Sequence, residues 1–155
     1  MTQTALRLRL QISNVFGGVS LPITAASIAF PANGSAGTSA IDSASLRTLS
    51  FSGQPGYEVP NGALVLSDTF DFPVKAEQIV TVSLYFATGQ ASESITAHPG
   101  SRTTSYIAFG NQISAADFEN STRTDHWYFV TAIEAESSGS AIAVLGDSIS
   151  DGRGR

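Results

Sequence analysis

The chain has 155 residues, a net charge of −5, 42% hydrophobic and only 14% charged residues, and no cysteine. That length suffices for one domain with a real core, and the acidity argues against nucleic acid or an anionic membrane surface as partner, because no basic patch can offset phosphate charge. Without cysteine there are no disulfides and no thiolate metal sites, and His98 and His126 are too few and too far apart in sequence to suggest a metal centre.

No window holds the ~18 consecutive apolar residues that a membrane span needs. Met1 to Ile12 does not read as a signal peptide, since Arg7 and Arg9 interrupt its apolar part. Two readings follow: a cytoplasmic protein, or a chain without its natural N-terminus.

Ala5 to Ile12 alternates with period two. Leu6, Leu8, Leu10 and Ile12 share one face, and Ala5, Arg7, Arg9 and Gln11 the other, as in a strand with one wet side. Ser13 to Gly18 is a turn in which Gly17 and Gly18 are free to take positive φ. Val19 to Thr24 is a second strand, and Pro22 inside it points to an edge or a bulge. Ser27 to Phe30 is a short third strand. Asn33 to Ser45, rich in Gly, Ser, Ala and Thr, reads as a mobile surface loop.

Leu46 to Phe51 is a strand with Leu49 and Phe51 on one face, followed by turn chemistry at Ser52-Gly-Gln-Pro-Gly56. Tyr57 to Pro60 is brief, and Pro60-Asn61-Gly62 reverses the chain. Ala63 to Phe72 resumes alternation, with Leu64, Leu66, Phe70 and Phe72 inward. Ala76 to Phe86 is the strongest strand signal. Val80, Val82, Leu84 and Phe86 form a continuous core face, each worth roughly 1.5–3 kcal/mol when fully buried.

Thr103 to Phe109 is a further strand. Ser114-Ala-Ala-Asp117 resembles a helix cap and predicts one helical turn before Asn120. Trp127 to Ala135 alternates again. About nine short strands with turn signals every 8–12 residues or so, and almost no helical periodicity, predict a mainly β fold: an antiparallel β-sandwich, jelly-roll-like or otherwise.

Ala141 to Leu145 breaks the pattern. It is an apolar run rather than an alternation, as expected of a strand covered on both faces in a parallel sheet. A domain boundary therefore falls near Ser137-Ser-Gly-Ser140, giving residues 1–137 as a support domain and 138–155 as the start of another. The run then opens at Gly146 into a tight, Gly-flanked turn carrying Asp147 and Ser148, the way an α/β enzyme presents a nucleophile at the carboxyl end of its sheet. The tail Gly152-Arg-Gly-Arg155 is no phosphate loop, because no Gly-Lys-Ser/Thr element accompanies it.

Gly146-Asp147-Ser148-Ile149-Ser150 resembles block I of the SGNH, or GDSL, hydrolases, and Asp151-Gly-Arg-Gly154 extends the likeness to a subset of them. Arg7 to Gly17, His98-Pro-Gly-Ser-Arg-Thr-Thr-Ser-Tyr106 and His126-Trp-Tyr-Phe129 are similar to the β-sandwich that precedes the catalytic domain in some GDSL-like lipase/acylhydrolases. The resemblance implies a front portion of a two-domain enzyme: the sandwich, then the first β-strand and nucleophile turn of an incomplete α/β/α hydrolase domain.

By that resemblance Ser148 is the nucleophile, and its backbone N–H is one oxyanion donor. Gly146 and Asp147 support the turn; Asp147 is not the triad acid. The family draws further donors from a Gly and from a Gly-x-Asn-Asp block, and its acid and base from a late Asp-x-x-His. None has a counterpart here: Ile95 stands three residues before His98, and Arg123 three before His126. A serine needs a base and an oxyanion hole, and losing one triad member costs on the order of 10⁶ in kcat. The 155-residue chain is therefore expected to be inactive by itself and to need the missing C-terminal catalytic domain.

The resemblance further implies a small-molecule or carbohydrate ester substrate, no cofactor, no metal, and secretion. The rival reading is a non-catalytic glycan- or partner-binding sandwich with Trp127, Tyr128, Tyr85 and Tyr57 as a stacking face, against the plainer role of those rings as core. His98 reads as the brace of a His-Pro-Gly turn or as a neighbour of the catalytic cleft, and His126 as sandwich core or rim. Ala141 to Leu145, lacking parallel neighbours, either lies against the sandwich as an edge strand or leaves an apolar edge exposed.

Overall fold

The structure, a computed structural model, describes residues 1–101, 103–137, 139, 145 and 146. In chain order its strands are β1 (Ala5–Ser13), β2 (Leu21–Ile23), β3 (Ala25–Ala29), β4 (Arg47–Thr48), β5 (Tyr57–Val59), β6 (Leu64–Leu66), β7 (Phe70–Val74), β8 (Thr81–Tyr85), β9 (Ala97–Pro99), β10 (Ser105–Ile107), β11 (Thr122–Thr124), β12 (His126–Tyr128) and β13 (Val130–Ala135). The fold is mainly β, built from several antiparallel sheets, and is consistent with a β-sandwich. No helix among the described residues is long and apolar enough to cross a membrane.

One sheet runs β13-β1-β6, with β7 on the same side of β1 as β6. A second runs β4-β3-β8. They share one core: Leu8, Leu10 and Ile12 of β1 and Ala26 and Ile28 of β3 are buried in a single cluster with Leu21, Phe51, Val59 and Phe72. The Phe30 and Phe72 rings meet across it, centroids 4.7 Å apart. Three two-stranded ladders, β2-β5, β9-β12 and β10-β11, complete the folded body. Pro22 lies in β2, which among the described residues pairs only with β5, so its missing N–H falls at an edge as the sequence predicts.

Among the described residues thirteen strands replace the expected nine or so, because several long runs are cut. Alternation along β1 fails at Leu6. The β1–β7 ladder shifts register between Ala5 and Arg7, so Ala5 is buried and Leu6 is 70% exposed. A bulge inserts one residue and reverses which parity faces the core. The same happens between β6 and β7. Ile12 pairs with Val65 but Leu8 with Phe70, one residue out of step, so Val65 packs inward while Leu64 is exposed. Buried Ser67 sits at that step, its Oγ accepting from Leu10 N–H at 2.9 Å and its own N–H donating to the Leu10 carbonyl.

Gly17 and Gly18 correct another expectation, since neither has positive φ. They serve close approach instead: a Cβ on Gly17 would collide with Asn14 Oδ1, and one on Gly18 with Ser92 Oγ. Asn14 is fully buried. Its Nδ2 donates to the carbonyls of Val19 (2.8 Å), Val59 (3.1 Å) and Pro60 (3.2 Å), and its Oδ1 accepts from Gln90 Nε2 at 2.8 Å.

The Asn33–Ser45 loop is pinned at its far end. Ile41 is buried and bridges Pro31, and Asp42 caps a 3-10 turn at Ser43–Ser45. The helical turn expected after Ser114 does not form. That stretch is tied down by tertiary bonds, Ser27 Oγ to the Ile113 carbonyl (2.6 Å) and Ile41 N–H to the Ala116 carbonyl (2.8 Å). Asp117 Oδ1 accepts from Ser39 Oγ and from Phe118 N–H, where a cap would have held the helix start. The strand predicted from Trp127 to Ala135 breaks at Phe129, whose φ is +64, a conformation unusual for a bulky side chain.

Candidate functional site

The sequence points to Gly146, Asp147 and Ser148. Asp147 and Ser148 lie outside the described residues, as do Ala141 to Val144 and the tail from Ile149 to Arg155. Gly146 is exposed, and Leu145 before it is fully exposed. The proposed boundary near Ser137 to Ser140 follows the end of β13 at Ala135; Ser138 and Ser140 lie outside the described residues.

The two histidines lie in one ladder. In β9-β12, His98 stands opposite Trp127 and His126 opposite Pro99. The His98 ring lies against Trp127, centroids 4.7 Å apart, and both histidines are exposed. His98 thus belongs to a strand rather than bracing a turn, and His126 lies at the rim. No group of three or more His, Asp or Glu among the described residues is arranged to hold a metal ion.

The feature best suited to binding is a cleft of about 970 Å³ along β8, whose outer edge is unpaired among the described residues. β8 and β13 are end strands of the two main sheets, and both line it. The floor includes Val80, Val82, Leu84 and Phe86. The sequence predicts them as a continuous core face; they pack against the core from one side and are only partly buried, because among the described residues no strand covers them on the other. The far wall comes from β12 and β13, with Trp127, Tyr128, Phe129 and Ile133. Phe129 packs on Phe86 at 5.2 Å between centroids. Its unusual backbone is held at both ends: its N–H donates to the Thr96 carbonyl (3.1 Å), and its carbonyl accepts from Ser13 N–H (2.8 Å).

Of the four aromatics singled out in the sequence, Trp127, Tyr128 and Tyr85 border this cleft. Tyr57 does not; it lies on β5 beside Phe51, centroids 6.3 Å apart. Sequence reading missed Ile95, Ile107, Phe109 and Phe118, which reach the cleft from short strands and loops. Loop residues carry no periodicity, so only their apolar character marked them. Phe109, 98% exposed, is the clearest signal: a large aromatic with no core partner.

Electrostatically the cleft is bland. None of its described lining residues is charged. The perturbed acid lies elsewhere, between β6 and β7 and against the Phe51–Gln54 hairpin: Asp68 accepts from Ser50 Oγ (2.6 Å), Gly53 N–H (2.8 Å) and Ser52 N–H (2.9 Å). The Ser50 bond foremost, then those from the turn amides, hold the Asp68 carboxyl below the usual aspartate value. That arrangement secures a turn with positive φ at Ser52 and Gly53; it offers no nucleophile or base a partner. No protein-family model matches this chain, and no curated protein is significantly similar to it.

Proposed function

We propose that the chain is the front portion of an SGNH-type serine ester hydrolase. In this reading residues 1–137 form a jelly-roll-like β-sandwich accessory domain, and residues 138–155 begin an α/β/α catalytic domain. The observation that carries it is Gly146-Asp147-Ser148-Ile149-Ser150 directly after an apolar run at the end of an antiparallel β body. Ser148 would attack the carbonyl of a small-molecule or carbohydrate ester, with its backbone N–H donating to the oxyanion and Gly146 and Asp147 shaping the turn. The alcohol leaves, and water then hydrolyses the serine-bound acyl group. Secretion belongs to the same reading.

The reading frame beyond Arg155 tests it. A Gly-x-Asn-Asp and a late Asp-x-x-His should follow, and the protein carrying them should hydrolyse p-nitrophenyl acetate and lose that activity in Ser148→Ala. A downstream frame lacking both blocks would sink the proposal. Residues 1–155 alone should show no turnover, because no base of the required spacing is present.

A second reading is a non-catalytic binding module. The aromatic-walled cleft of about 970 Å³ favours it. A saturable change in Trp127 fluorescence on oligosaccharide titration supports the glycan form, and silence across several glycans rejects it.

A further inference from the structure

The cleft between β8 and β13 has three properties that together select an occupant. Its volume, about 970 Å³, lies at the upper end of the range of roughly 300–1,000 Å³ over which pockets enclose small molecules. Its described lining is wholly uncharged, although the chain as a whole carries −5. Burying an unpaired charge there would be strongly unfavourable, so the occupant is neutral.

The third property is the state of its polar groups. Three are already engaged within the protein. Tyr106 donates its hydroxyl to the Gly37 carbonyl (2.7 Å), Gln112 Nε2 to the Phe109 carbonyl (2.8 Å), and Thr131 Oγ1 to Gln11 Oε1 (3.0 Å). The Trp127 indole N–H and the hydroxyls of Tyr128, Tyr85 and Ser105 make no hydrogen bond among the described residues. The lining thus presents a few neutral donors on a largely apolar surface, which suits a ligand with an apolar body and a carbonyl acceptor. Phe129, between Tyr128 and β13, is held at φ +64 in that same wall. Backbone of this kind persists only where surrounding structure over-determines it, and it concentrates at ligand-binding positions.

We propose that this cleft is a binding site for a neutral, apolar carbonyl compound such as an aryl ketone or a long-chain ester, held by apolar contact with β8 and by donation from Trp127 or Tyr128. The proposal rests on the cleft alone and does not depend on the hydrolase reading.

The test is titration of the full 155-residue chain with prodan, a neutral naphthyl ketone, while following probe emission and energy transfer from Trp127, the single tryptophan. One saturable site with blue-shifted emission is expected. A naphthalene sulfonate of similar size should bind at least about 10-fold more weakly, because its charge finds no partner. Ile107→Glu, at a half-exposed rim position, should weaken prodan by about 10-fold or more while circular dichroism remains unchanged. Trp127→Phe, read by probe emission alone, should weaken it less. Ser148→Ala should bind like the parent chain, which separates this site from the proposed nucleophile.

Absence of saturable binding overturns the proposal, and so does full affinity in a folded Ile107→Glu. Two further outcomes would assign the cleft to another occupant. One is a dimer by sedimentation that excludes the probe. The other is probe binding that appears only after residues 138–155 are removed.

Discussion

Asn14 shows how one buried amide can join separate parts of a β protein. Its side chain satisfies three carbonyls, on the loops before β2 and after β5 and at the end of β5 itself, and accepts from Gln90. An unmade buried bond costs about 1–3 kcal/mol, so Asn14→Ala should destabilise the fold by on the order of 3 kcal/mol in urea unfolding. Gly17→Ala should also destabilise, because its Cβ would strike Asn14 Oδ1. The two changes should couple by about 0.5–3 kcal/mol in a double-mutant cycle, since the first removes the atom the second strikes. Strict additivity would show that Gly17 is selected for some other reason.

Asp68 gives a prediction in pH. Hydrogen bonds from Ser50, Gly53 and Ser52 lower its folded-state pKa, so its contribution to stability is full above the unfolded aspartate value and is lost as pH falls through the folded value. Asp68→Asn should therefore lower the urea midpoint at neutral pH. The gap from the parent protein should close in acid, below the usual aspartate range. A gap independent of pH would mean that the carboxylate charge plays no part in holding the Ser52-Gly53 turn.

Among the elements, β1 is the one on which the larger sheet depends, because it pairs with β13 on one side and with β6 and β7 on the other. Its wet face carries Arg9 against Glu134, direct register partners, and Arg7 near Asp71 and Glu136. Exposed pairs of this kind contribute about 0–1 kcal/mol. The apolar face decides stability, and the bulge decides which residues belong to it. Leu8→Ala should cost about 2–5 kcal/mol as a core truncation, whereas Leu6→Ser should stay within about 0.5 kcal/mol as a surface change. Simple alternation assigns both leucines the same role, so equal losses in thermal or urea unfolding would refute the register shift between Ala5 and Arg7.

For the molecule as a whole, the two main sheets cover each other around Leu8, Leu10, Ala26 and Ile28 but leave β8 and β13 as end strands beside an open cleft. Stability and binding are thereby divided. The closed side holds the fully buried side chains, while the open side presents half-buried Val82 and Leu84 beneath exposed Ile107 and Phe109. A change at the rim, such as Ile107→Glu, can alter binding with little effect on the core.

Local chemistry made much of this legible in the sequence. Period-two alternation marked β1 and β8, Pro22 marked an edge, and Ser52-Gly53 marked a tight turn, because each depends on residues a few positions apart. Gly146-Asp147-Ser148-Ile149-Ser150 is also a local pattern, but Ser148 lies outside the described residues and its role as nucleophile stays a proposal. Tertiary structure decided the rest. The inward-facing parity at Leu6 and Leu64 depends on the register of a partner strand, which no local window contains. The Ser114 region exchanged its helical bonds for contacts with Ser27 and Ile41, far away in sequence. Val80, Val82, Leu84 and Phe86 read as a face that must be covered, and only the arrangement of the sheets showed them to be the floor of a cleft. Alternation says which side of a strand is apolar; whether that side meets another sheet or an open space is set by how the whole chain returns on itself.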